Sequence, residues 1–140
     1  MVELRSALSD DRAAVLAAMD ALYEKAAEMQ LDELHHLFVD DPDLTFWGSE
    51  DVEEAVGPAE LQAFARAAAS AGTAFHFEWP ERRVHIDGDV AWVNAVGTCV
   101  WTPAGEDEPR TVGYRLTAVF VRRNGRWLWH THHGSEPNAG

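Results

Sequence analysis

The chain has a single cysteine, Cys99, so no internal disulfide can form. In a strand such a thiol behaves as a small hydrophobe, and a reducing cytoplasm is the expected compartment. Basic residues are also scarce: 11 Lys and Arg stand against 24 Asp and Glu, a formal charge of −13 with a pI near 4.7. A field of that sign repels phosphate backbones and anionic lipid, so neither nucleic acid nor a membrane surface is expected as a partner. No apolar run approaches the roughly 20 residues of a membrane span. Residues 1–20 lack the basic start and unbroken apolar core of a secretory signal. Gly-rich phosphate loops, nucleophile motifs and paired-cysteine metal sites are missing as well.

Apolar and aromatic residues are plentiful. A 140-residue chain that is 46% hydrophobic and holds six Trp has enough apolar surface for one domain with its own core. With no repeat, low-complexity tract or linker, that domain is expected over residues 9–137, with 138–140 as a tail. Ser9 or Asp10 can cap a first helix, whose apolar stripe is Val15, Leu16, Met19, Leu22, Tyr23 and Ala26. A short second helix is expected over residues 31–38, closed by the Asp40-Asp41-Pro42-Asp43 segment. Leu44 to Trp47 reads as a short strand leading into an acidic loop at 49–54. Gly57-Pro58 then opens a third helix, which carries Leu61, Phe64, Ala65 and Ala68 and stops at Gly72.

The remainder reads as sheet. Residues 74–86 pair with 90–101 across an Asp87-Gly88 turn, and 111–123 meet the last strand across Asn124-Gly125. Helices followed by a meander of long strands predict an α+β fold, with the N-terminal helices packed on a curved antiparallel sheet. Both faces of the middle strands are rather apolar: Ala91, Val93, Ala95 and Cys99 oppose Trp92, Asn94, Val96 and Thr98. A sheet covered on one side should be polar on the other, so a homodimer through the sheet is expected.

The last strand carries the most chemistry. Strict alternation would put Trp127, Trp129, Thr131, His133 and Ser135 on one face and Leu128, His130, His132 and Gly134 on the other. The first set, apolar at its start and polar at its end, suits the wall of a half-dry cavity. With Arg115-Leu116-Thr117-Ala118-Val119-Phe120, a turn ending in Gly125, then Trp127 and His133-Gly134-Ser135-Glu136-Pro137, the chain resembles the SnoaL-like branch of the nuclear transport factor 2-like superfamily. That family commonly shows an Arg-x-Thr strand, a Gly-x-Trp start and a His-x-Ser near the C-terminus. The Gly57 turn and the Asp89 to Val93 strand fit it too. The resemblance implies the cone-shaped cystatin-like fold and a pocket between helices and sheet, often without a cofactor. Its members include cyclases, isomerases, dehydratases, epoxide hydrolases, kinase association domains and ligand binders.

Candidate residues follow. His133 matches the family histidine and could serve as an acid or base near neutrality, or could simply order the sheet. Arg115, beside Thr117, could hold a carboxylate or enolate oxygen, or pair with an acid at the pocket rim. Isomerases and cyclases of this fold use an inward carboxylate and a hydroxyl that holds the enolate oxygen. Asp43 and Glu78 are the carboxylates on offer here, and Tyr23 the hydroxyl, though its spacing also suits core. The epoxide hydrolase Asp-Arg-Asp arrangement is not recognisable. Trp47, Trp92 and Trp129, with Asn94, Thr117 and Ser135, are the expected ligand-binding set for a small apolar or aromatic molecule. His130 and His132 lack a third ligand at metal spacing, so no metal is expected, and the resemblance implies that no cofactor is needed. The function expected is ligand binding or cofactor-free proton transfer at a carbonyl compound; the alternative is a non-catalytic association module.

Overall fold

The computed structural model describes residues 2–50 and 53–137, with side chains from residue 8 onward. Its elements are α1 (Val2–Ala27), a 3₁₀ helix (Leu31–His36), β1 (Thr45–Trp47), β2 (Glu54–Val56), α2 (Pro58–Ala71), β3 (His76–Asp87), β4 (Val90–Trp101), β5 (Arg110–Arg123) and β6 (Arg126–Ser135). One sheet in the order β2-β1-β6-β5-β4-β3 holds all six strands. Pairing is antiparallel except between β1 and β6. The helices cover one face of this curved sheet, the α+β cone the strand pattern implies.

Local sequence explains the elements. On α1, Val15, Met19, Leu22, Tyr23 and Ala26 are all buried, the stripe a helix needs to seat on a sheet. The helix starts at Val2, so Ser9 and Asp10 lie inside it and do not cap it. Gly57, at φ 86°, bends the chain into α2, and Pro58 takes the first turn, where its missing N–H costs nothing. Gly72, at φ 68°, ends the helix in the left-handed conformation. The acidic segment after β1 contains β2, too short to stand out in sequence; it is held by antiparallel pairing to β1. The expected tail, residues 138–140, lies outside the described residues.

The two hairpins form at the expected turns. Asn124 and Gly125 both have positive φ, 52° and 76°, as a tight turn between right-twisted strands requires. Ala91, Val93, Ala95 and Cys99 on β4, with Tyr114, Leu116, Ala118 and Phe120 on β5, are buried under the helices. Two irregularities interrupt the ladders. On the outermost strand, β3, the register shifts between Glu78 and Glu81, which accommodates Pro80 at a bulge. On β6 it shifts opposite Val119 and Phe120: Phe120 pairs with Trp129 but Val119 with Thr131, so His130 is an extra residue.

That one insertion inverts the rest of the strand. Trp127 and Trp129 point into the core, but His132 and Gly134 follow them inward, while His133 and Ser135 face out. The expectation that Trp129 and His133 share a face is therefore corrected. Trp129 is fully buried; its ring packs on Phe120 and Phe38, and its indole N–H donates to the Ala18 carbonyl at 3.0 Å. At Gly134 an added Cβ would come within 2.0 Å of the Tyr114 hydroxyl oxygen. Gly134→Ala should displace Tyr114 and destabilise the fold by about 1–3 kcal/mol, measured by denaturant unfolding.

Candidate functional site

His132, the buried imidazole of β6, is the centre of the site. It is 2% exposed, and β1, paired in parallel, sets Phe46 opposite it so that the two rings stack at 4.2 Å. Its Nδ1 lies 3.1 Å from the Trp47 carbonyl oxygen. A carbonyl can only accept, so Nδ1 carries the proton and Nε2 is left as an acceptor. Tyr23, reaching in from α1, fills that role: its hydroxyl lies 3.0 Å from Nε2 and donates to it. Burial drives the pair away from charge. It lowers the His132 pKa to about 4, against the opposing Trp47 hydrogen bond, and holds the Tyr23 hydroxyl well above its ordinary value. At neutral pH both are uncharged.

The pair lines a cavity of about 420 Å³ between α1, α2 and the inner sheet face. Its walls are aromatic: Phe46, Phe64, Phe75, Phe77, Trp101 and Tyr114 all contribute. Its polar side is acidic, with Glu50 and Glu53 from the segment after β1 and Glu136 beyond β6. The Ser49 hydroxyl donates to Glu136 at 2.5 Å, and the Glu50 backbone N–H donates to Glu53 at 3.0 Å. Burial raises the Glu53 pKa, the Glu50 N–H works against the rise, and the Glu50 and Glu136 charges add to it. Burial also pushes the Cys99 thiol, another lining group, up to about 12, which leaves it inert. Among the described residues, no Lys or Arg side chain lines the cavity.

Of the residues singled out from sequence, Tyr23 alone lines this cavity. The bulge turns His133 outward, where it meets the edge of exposed Trp47 at 5.4 Å. Arg115, Thr117, Trp92, Asn94 and Ser135 share that outer face and are exposed; Asn94 donates to the Thr117 hydroxyl at 3.3 Å. Trp129 is packed core. Glu78 is exposed beside the β3 bulge, and Asp43 is exposed and accepts from His130 at 3.2 Å. Asp41, Asp43 and His130 bring possible ligand atoms within 4.8 Å of one another. Asp41, however, is already held by two bonds from Arg123. Sequence reading missed His132, Glu53 and Glu136 as site residues. The His130-Thr131-His132-His133 run marked the place, but not which imidazole turns in.

Fold and cavity together define a SnoaL-like domain. The sequence matches that family over residues 15–139, and the chain belongs to it. Among curated proteins, no relative matches. Solved structures share the cone. A candidate dehydratase of the NTF2-like family from Streptomyces avermitilis is 22% identical, covering 94% of this chain and 99% of that one, with a TM-score of 0.77. An NTF2-like protein with a cystatin-like fold from Novosphingobium aromaticivorans is 17% identical, covering 99% and 90%, at 0.76. A candidate calcium/calmodulin-dependent protein kinase II association domain from Xanthomonas campestris is 21% identical, covering 90% and 87%, at 0.74. At these identities the likeness is one of fold. No helix among the described residues is long and apolar enough to cross a membrane.

The buried histidine makes stability depend on pH. The folded state resists protonation down to about pH 4, whereas an unfolded histidine takes a proton near 6.5. Between those values the unfolded chain binds more protons, so the contribution is intact above pH 6.5 and is lost as pH falls to 4. The loss should total about 3 kcal/mol. Urea unfolding against pH should show it in the wild type, and His132→Gln should remove that part of the slope.

Proposed function

We propose that the chain is a small-molecule-binding SnoaL-like protein whose cavity takes a largely apolar ligand, and that proton transfer next to a carbonyl is the chemistry it performs. One observation carries this reading: an aromatic-walled cavity of about 420 Å³ contains both a polar pair and a carboxylate. That volume falls in the range of pockets that enclose a small organic ligand. Glu53 is the base. Its raised pKa, caused mainly by burial, makes it a better proton acceptor than an exposed carboxylate. Tyr23 takes a role different from the enolate-holding one expected from sequence. Its proton is directed to His132, so its oxygen offers lone pairs to the ligand. Tyr114, kept protonated by burial, is the donor for a ligand oxygen. No cofactor enters this scheme.

Tryptophan fluorescence should respond saturably to cyclic and aromatic ketones. Ala68→Trp, which fills the cavity from α2, should abolish the response while circular dichroism stays unchanged. For a ketone that turns over, Glu53→Gln should lower kcat by about 10²–10⁴-fold, and His133→Ala should leave it unaltered. Silence across the ketones would remove the binding reading.

We also propose that the outer sheet face pairs two copies. Trp47, Trp92 and Val96 leave 42%, 39% and 45% of their surface exposed, apolar area that a partner sheet would cover. Light scattering at micromolar concentration should give twice the 15.5 kDa chain mass, and Trp92→Glu should halve it. A monomeric wild type would favour neither this pairing nor the association-module alternative.

A further inference from the structure

The ligand's charge follows from what surrounds the cavity. Glu50, Glu53 and Glu136 line one side of it, and no Lys or Arg among the described residues lines any part. His132 is neutral and has its N–H spent on the Trp47 carbonyl, while Tyr23 has its O–H spent on His132. Full positive charge is therefore absent from the walls, while the charges of exposed Glu50 and half-buried Glu136 act against ionisation of half-buried Glu53 beside an aromatic space. An anionic ligand would bring a fourth negative charge into that space. A neutral ligand would leave the three uncompensated. A cation would relieve their repulsion, and the aromatic faces opposite would attract it further. The whole chain's charge of −13 also concentrates cations around the molecule.

We propose that the cavity binds an apolar amine as its ammonium, the aromatic walls taking the carbon skeleton and Glu53, Glu136 and Glu50 facing the charge. This rests on the reading of the cavity as a binding chamber and adds the ligand's chemical class. An amino ketone satisfies both the carbonyl of that reading and the charge required here. Ser49 has a part in it: by donating to Glu136 it holds that carboxylate at the rim in one position.

The test uses three compounds on one carbon frame, phenethylamine, phenethyl alcohol and hydrocinnamate, titrated calorimetrically into the intact protein near neutral pH. The amine should bind about tenfold or more tighter than the alcohol, and hydrocinnamate weakest, since each tenfold step corresponds to the ~1.4 kcal/mol that one partly screened ion pair readily provides. Glu53→Gln should bring the amine down to the affinity of the alcohol. Glu136→Gln should shift it the same way, so the result does not hang on one variant folding. An alcohol that binds as tightly as the amine overturns the charge inference and leaves the binding chamber standing. Tightest binding by hydrocinnamate does the same. No binding by any of the three overturns both.

Discussion

A buried imidazole must satisfy two ring nitrogens at once, and in this fold the partners come from opposite directions. Nδ1 of His132 is tied to the Trp47 carbonyl on β1, and Nε2 to the Tyr23 hydroxyl on α1. One side chain thus joins the short strand β1, parallel to β6, to the helix across the core. It also sets the protonation pattern of the site, because the carbonyl dictates the tautomer and the tautomer dictates which way the Tyr23 proton points. Breaking either bond would strand a polar atom in an apolar interior, a cost of about 1–3 kcal/mol. The pair's own polarity is internally spent, so it brings no charge into the chamber beside it.

Much of the fold could be read from residues. The α1 stripe, the Gly57-Pro58 entry to α2 and the Asp87-Gly88 and Asn124-Gly125 turns are where period and turn chemistry place them. These are local signals, and each depends on a few neighbouring residues. The site failed for two reasons: alternation on β4 and β5 does not say which face turns inward, so Trp92, Asn94, Arg115 and Thr117 lie outside, and on β6 a non-local event intervened. Alternation assigns His133 to the face of Trp129 only if β6 is regular, and the extra residue at His130 is decided by how β6 meets β5, not by its own composition. One slipped residue exchanges all side chains beyond it. His133 and Ser135 were lost to the outer face in that exchange, and His132 was gained. Glu53 and Glu136 were hidden for another reason: they reach the cavity from irregular segments, where no periodicity marks an inward side chain.

Arg82, Arg122 and Arg123 tie the sheet to the segments around it. Arg82 reaches Asp20 on α1 at 2.7 Å, and Arg122 joins Asp11 and Asp89 while its guanidinium lies 5.0 Å from the Trp127 ring. Arg123 holds Asp41. Few positive charges are available, and those three are placed where helix and turn segments meet the strands. The cavity, by contrast, has no Lys or Arg among its described lining residues, and its charged groups are the carboxylates of Glu50, Glu53 and Glu136. This distribution, cations outside as fasteners and anions inside at the chamber, gives the molecule its internal polarity.

The irregular β3 has one more effect. A 12-residue strand at the margin of a sheet would ordinarily offer a row of free backbone groups to any passing chain. Pro80 removes a donor from that row and the bulge twists it, while the opposite margin, β2, is only three residues long. Both margins are thus poor templates for the addition of a further strand, one by its irregularity and the other by its shortness.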